Sequence, residues 1–501
     1  MNMSKNLEEN EDIISNLNRF KTENNDQNSY IWEKKYQQIG EKLVVKPVLL
    51  YNLMEKKQAL TWREWGGLHS QEDVEKETKR IQNELKELVL EVDYPISILP
   101  LTEVNTDKKS KEVVNTDCDV ILLYAAGSAG DEIYKQNRID QITNSNKDVL
   151  MFLRHKSGPT YLWYKKAHPR LLRNGTDKFE HDNMTYKDIV VDDYSGVTKR
   201  LRSLFGLKNV NNTKVLSING VGKAGQDNNI VKNVKSLWGL DIETLKSQEL
   251  KDRMYRSMGY SSKIGETKKR IKKFLDQDNI IEVEAEEEYI LSSFILLDVL
   301  KDLMKETDST AITIKDCMNL GELTGTTACL PFSLINDEGL MAFCESDFTA
   351  IPAGILMRFI ANKPVFMNNP TFPHDGMTTC ANCTAPRRMN GKEYEAASIF
   401  THFESDYGAA PKVQFHQGQL ITSVIPDFDS EKWLGFKGKV EETPFYDICR
   451  SQMDCKIEGD YEQLLKNMRG FHWLTCYGDY LEEFEYALHK IGINFENISA
   501  E

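Results

Sequence analysis

Residues 343–370 read FCESDFTAIPAGILMRFIANKPVFMNNP. A short apolar run arrives at two acids, Glu345 and Asp347. A stretch that is apolar all round follows, and PVFM then runs into Asn368 and Asn369. The order is strand, helix, strand. Ligands in open α/β sheets bind at the carboxyl ends of the strands, so this order brings a carboxylate and an amide oxygen towards one crevice. An equally simple reading has Glu345 doing no more than charging the N-terminus of the helix.

The same alternation extends on both sides. KVLSIN (214–219), AITI (311–314) and LMAFCE (340–345) read as strands, and VTKRLRSLFGL and EEEYILSSFILLDVLKDLMKE (286–306) as helices. Nearer the start, DVILLYAA (119–126) and VLMFLR (149–154) are wholly apolar and bounded by polar turns, as buried parallel strands are. SQEDVEKETKRIQNELKELVLEV opens on a capping box, Ser70 with Asp73, and repeats Val74, Ile81, Leu85 and Leu88 on one helical face. Beyond Asn369 the chain is punctuated by Gly, Thr and Pro, with short alternating runs such as QLITSVIP and a closing helix, YLEEFEYALHKIGI. The expected architecture is α/β: two open α/β (Rossmann-like) domains, 31–195 and 196–368, then a β-rich C-terminal domain, 369–501. A polar, acidic stretch at 1–30 is expected to be a flexible leader.

A chain of 501 residues is long enough for about three domains. Its 63 basic and 77 acidic residues leave a net charge of −14, the wrong sign for a general binder of nucleic acid or anionic membrane. No apolar run reaches the ~18 residues of a membrane span, and the first residues lack the apolar core of a signal peptide. Nine cysteines in such a chain read as reduced thiols, and the expected location is the cytoplasm.

Three patterns invite a chemical reading. Gly220, Gly222 and Gly225 have the spacing of a dinucleotide loop directly after a strand, but the match is short and common and no strand-borne acid is evident near Asp241 or Glu243; a strand-end loop that merely needs glycine is the favoured reading. Cys380 and Cys383 form a Cys-x-x-Cys pair with no second pair to complete a zinc site, so buried thiols are expected. His374, His402, His416 and His472 crowd the last third of the chain without ligand spacing.

Seven segments in order resemble one family. They are WREWGGLHSQEDVEKE, LRSLFGLKNVNNTKVLSING, ACLPFSLINDEGLMAFCESD, PVFMNNP, CTAPRRMNG, THFESDYG and the H-x-x-x-x-YGDY that begins at His472. Together they are similar to the fucose-isomerase-like branch of the L-fucose/L-arabinose isomerase superfamily. The resemblance implies a metal-dependent aldose–ketose sugar isomerase, Mn²⁺ or another divalent cation, a monosaccharide substrate and a homo-oligomer. By the same implication Glu345, Asn369 and His472 are the metal positions and Glu345 and Asn369 the catalytic pair. Asp347, Asn382, Arg387, His402 and Trp473 are expected at the substrate.

The chain departs from the family's pattern at several positions. The resemblance implies a carboxylate at Asn368 or Asn369, both amides here, and a histidine where Asn382 stands. Of a common Asn-His-His, the Asn is Phe471 and the second His is Trp473. An amide oxygen can ligate a cation but cannot act as a base near neutral pH. His374 and Asp375 are candidate replacements. The alternative reading is a sugar-binding or repurposed scaffold that has lost isomerase activity. An oxidoreductase using the glycine loop is a third.

Overall fold

The computed structural model describes residues 36–500 except 61, 64–65, 127–136, 162–183 and 223–227. The leader at 1–30 and Gly225 lie outside the described residues. The protein is mixed α/β, with two parallel-strand sheets and a C-terminal antiparallel β-barrel.

The first sheet contains β1 (Leu43–Leu50), β2 (Ile96–Ile98), β3 (Thr102–Val104), β4 (Val120–Ala125), β5 (Asp148–Leu153) and β6 (Ile189–Val191). Its order is β2-β1-β4-β5-β6, with β3 also on β1, and every pairing is parallel. The runs at 119–126 and 149–154 become β4 and β5. Central β1 carries Pro47, a residue that ordinarily marks an edge or a break. It is tolerated because β1 changes neighbour there: β2 pairs through Val45 and β3 from Val48. The missing N–H therefore falls in the gap between two short strands.

The second sheet joins β7 (Lys214–Ile218), β8 (Asp241–Leu245), β10 (Ala311–Ile314) and β11 (Met341–Phe343) in the parallel order β11-β10-β7-β8. Asp241 and Glu243 do lie on a strand of their own, contrary to the sequence reading. Both pair with Lys214 at the start of β7, the edge opposite the glycine loop.

PVFM is not a further strand of this sheet. β12 (Phe366–Pro370) pairs antiparallel with β13 (Met377–Asn382) and β19 (Trp473–Tyr477). With β16 (Leu420–Ile425), β17 (Lys432–Glu442) and β18 (Ser451–Glu458) these strands close a barrel, because β16 pairs with both β19 and β17. β20 (Asn494–Asn497) adds to β17, and β9 (Ile280–Val283), β14 (Ala397–His402) and β15 (Tyr407–Val413) form a small separate sheet. Nothing local distinguishes a parallel strand from an antiparallel one in a five-residue apolar run; the partner decides it.

The helix Ile351–Ala361 ties these parts together. All eleven of its residues are buried, as an all-round apolar helix requires. Gly206 lets Ile360 and Leu356 approach the helix Tyr194–Asn211, and Gly354 sits against the ring of Phe343. One continuous core runs from the first sheet through this helix to Leu474 and Phe484.

Candidate functional site

β11 ends at Phe343, and the chain then turns through two consecutive left-handed residues, Glu345 (φ 59°) and Ser346 (φ 54°). Neither is glycine, so the turn is strained and depends on its surroundings. Those surroundings are specific: the Ser346 N–H donates to Thr313 Oγ1, and the Ser346 hydroxyl lies 3.2 Å from that of Ser217. The turn brings Glu345 to a crevice between the second sheet and the barrel.

Asp347, next in the chain, is fully buried. Its Oδ1 accepts from the Thr349 N–H and its Oδ2 lies 2.7 Å from Nδ1 of His472. His472 is fully buried too, immediately before β19. With a carboxylate on Nδ1, the neutral imidazole carries its proton there and leaves Nε2 as an acceptor. Among the described residues that Nε2 has no hydrogen-bond partner, and it lies 3.8 Å from Glu345 Oε2.

The crevice is lined in addition by Asn369, Asn382, His402, Glu404 and Thr327, and by five cysteines. Alternation along β12 separates the two asparagines: Asn368 is buried inward, where its Nδ2 donates to Thr475 Oγ1, while Asn369 reaches the crevice. Asn382 Nδ2 donates to Asn369 Oδ1 at 3.2 Å, and Asn382 Oδ1 accepts from both the N–H and the hydroxyl of Thr384. His402 has Nδ1 3.0 Å from the Ser405 hydroxyl and Nε2 3.9 Å from Glu404. Burial lowers its pKa, against an opposing pull from Glu404.

Glu345, Asn369, Asn382 and His402 thus converge, with Asp347 and His472 directly behind Glu345. Arg387 and Trp473 do not join them. The Arg387 guanidinium is buried elsewhere and donates to Asn279 Oδ1, and Trp473 lies in the barrel core against Phe436. His374 and Asp375 sit on the exposed β12–β13 hairpin, where His374 bridges to Met377, and neither lines the crevice. Cys380 faces the barrel core and Cys383 the crevice. Cys344, a candidate neighbour of Cys380 on the sequence alone, lines the crevice instead, beside Glu345. Glu404 and the cysteines Cys317, Cys329 and Cys449 went unselected in the sequence; Glu404 stands two residues from His402 and had that signal, while these cysteines are scattered over more than 130 positions and had none.

A histidine with one ring nitrogen held by a buried carboxylate and the other orphaned beside a second carboxylate is what a metal-ligating imidazole needs. In that respect Glu345 and His472 fit a divalent ion. Asn369 adds an uncharged oxygen where a carboxylate would bind more firmly. Among the described residues no three His, Cys, Asp or Glu side chains already converge at metal-binding spacing. None of the described helices is long and apolar enough to cross a membrane. No protein-family model matches the chain, and no curated protein matches it significantly.

Proposed function

We propose that this crevice is the active site of a metal-dependent aldose–ketose isomerase acting on a monosaccharide. The observation that carries the reading is the orphaned Nε2 of buried His472, oriented by Asp347 and facing Glu345. The Rossmann-like form of the two parallel sheets and a homo-oligomeric assembly belong to the same reading.

Glu345, Asn369 and His472 would hold Mn²⁺ or another divalent cation, which when bound polarises the carbonyl and hydroxyl oxygens of the sugar. Glu345 takes the proton from C2 of the open-chain aldose and returns it to C1, passing through an enediol, while the O2 proton passes to O1. The same carboxylate serves both carbon steps because the Asn369 amide can act as neither acid nor base near neutral pH. His402, kept neutral by burial, presents a hydrogen-bonding edge to a sugar hydroxyl, and Glu404 supplies a second carboxylate on that wall. Asp347 holds the tautomer of His472 and does not touch substrate.

Fucose, arabinose, xylose, rhamnose and galactose in D₂O with Mn²⁺, followed by NMR, test the reading. Deuterium should appear at C2 of at least one sugar and should fall by about 10²–10⁴-fold in Glu345→Gln. A second reading, a sugar-binding scaffold without turnover, is favoured by the Asn369–Asn382 amide pair, whose members hydrogen-bond each other where the resemblance implies a carboxylate and a histidine. Binding of a sugar with no exchange on any of the five would establish that reading instead.

A further inference from the structure

Five of the nine cysteines line the one small crevice that holds Glu345. They form two groups. Cys329, Cys383 and Cys449 cluster around Ala410, with Cys329 and Cys383 buried. Cys317 and Cys344 stand apart, both partly exposed, with their sulfurs 4.0 Å from each other. Another close pair is Cys380 and Cys455, 3.9 Å apart, sealed in the barrel core at 0% exposure. Cys383 also packs against Cys329 and Cys449. Proximity is thus shared by several thiols, and Cys317 and Cys344 are the close pair in which both members are partly exposed.

We propose that Cys317 and Cys344 are a dithiol modification site, oxidised by a small hydroperoxide to a disulfide that controls the Glu345 crevice. A disulfide needs the sulfurs at about 2.05 Å, which side-chain rotation towards each other must supply from the observed separation. Cys317 is the first residue of the helix Cys317–Thr324, and Cys344 precedes Glu345 directly. Either sulfur can attack first, and the disulfide is the same; Cys317 is taken here as the attacking sulfur.

The Cys317 thiolate attacks one peroxide oxygen, the O–O bond breaks, and an alcohol (water, from hydrogen peroxide) leaves once protonated. Cys317 is then a sulfenic acid. Cys344 sulfur attacks that sulfenic sulfur, the S–O bond breaks, and water leaves with the Cys344 proton. Two thiols have given two electrons to one peroxide, which is reduced to an alcohol and water. The new bond ties the helix start to a turn that already holds two strained residues, Glu345 and Ser346. Formation of the bond stands on geometry alone; its effect on turnover rests on the isomerase reading.

The full chain would be treated with graded hydrogen peroxide, its free thiols alkylated, and its peptides mapped by mass spectrometry. A crosslinked peptide joining Cys317 to Cys344 should appear first, be reversed by dithiothreitol, and be lost in Cys317→Ser and in Cys344→Ser. It should persist in Cys455→Ser. A first bond between Cys383 and Cys449 or between Cys380 and Cys455 would overturn the proposal, as would direct conversion of Cys344 to higher oxides without a crosslink. The map on the unaltered chain decides the matter even if a variant fails to fold. In the isomerase assay, peroxide should lower C2 exchange and dithiothreitol restore it. A protein that forms the crosslink but exchanges with no sugar in its reduced state would leave the dithiol site standing and the isomerase reading refuted.

Discussion

His472 and Asp347 behave as a unit whose value lies in what it leaves free. Asp347→Asn keeps the volume but lets the amide offer either atom to Nδ1, so the tautomer is no longer imposed. We expect Mn²⁺ affinity to fall about 10–100-fold, measured by titration calorimetry, while far-UV circular dichroism stays unchanged. Equal affinity in the two proteins would mean His472 is not a ligand. A second buried carboxylate makes a pH-dependent contribution. Asp337 is raised to about 7, chiefly by burial, with Arg387 and the N–H groups of Arg387 and Arg388 pulling the other way. The folded protein thus binds this proton more tightly than the unfolded chain does. Its contribution to stability is therefore greatest at low pH and declines as pH rises from about 4 to about 7, by up to about 1.4 kcal/mol per pH unit. Asp337→Asn retains an oxygen for both N–H groups and should flatten that slope in urea unfolding measured from pH 5 to 8. An unchanged slope would place the titration elsewhere. At this scale the sequence was informative where chemistry and position coincided. Glu345 and His472 stand out by type; Glu345 lines the crevice and His472 lies directly behind it. Arg387 looked equally suited, yet Asp337 and Asn279 take it into the interior, and no spacing in CTAPRRMNG announces that.

Among the elements, those with a strong period were legible. The capping box at Ser70 and Asp73 forms as expected, and the helix runs Gln71–Glu91 with Val74, Ile81, Leu85 and Leu88 buried. AITI is β10 without a shift of either end. β1 was not legible because Pro47 contradicts a central strand, and only the break between β2 and β3 makes it acceptable. The contact between Gly354 and Phe343 is the point where helix and strand set the site. A Cβ at Gly354 would lie 2.4 Å from Phe343 Cε1. Alanine favours helix intrinsically by about 1 kcal/mol, but overpacking costs about 1–3 kcal/mol. We expect Gly354→Ala to lower stability on balance and to displace the end of β11, so Mn²⁺ affinity should fall with it. A more stable variant with unaltered affinity would show that Phe343 yields without moving Glu345.

The whole molecule has a shared core as its main physical feature. Residues from β1, β4 and β5, from the helix Ile351–Ala361 and from β19 belong to one buried cluster. Arg358 adds a polar tie, donating to the carbonyls of Gln37 and Gly339 from a fully buried position. Heat should therefore unfold the first sheet and the barrel together, as one calorimetric transition; two separated transitions would show that the shared core does not couple them. Arg358→Ala leaves the buried Gly339 carbonyl and that of Gln37 short of a donor and empties a fully buried side-chain site, and should destabilise by about 3 kcal/mol or more.

Periodicity, apolar runs and capping residues were sufficient to place strands and helices in an α/β order with a β-rich end, because those signals act within a few residues of each other. The partner of each strand depends on residues far along the chain. That is why PVFM turned out to be a barrel strand and why Asn369, not Asn368, faces the crevice. The left-handed turn at Glu345 is held once the strands of the second sheet are aligned, and the orphaned nitrogen of His472 and the gathering of five cysteines exist only once that sheet and the barrel are packed together. They arise from contacts between segments from a few tens to more than a hundred residues apart, and local sequence carries no record of such distances.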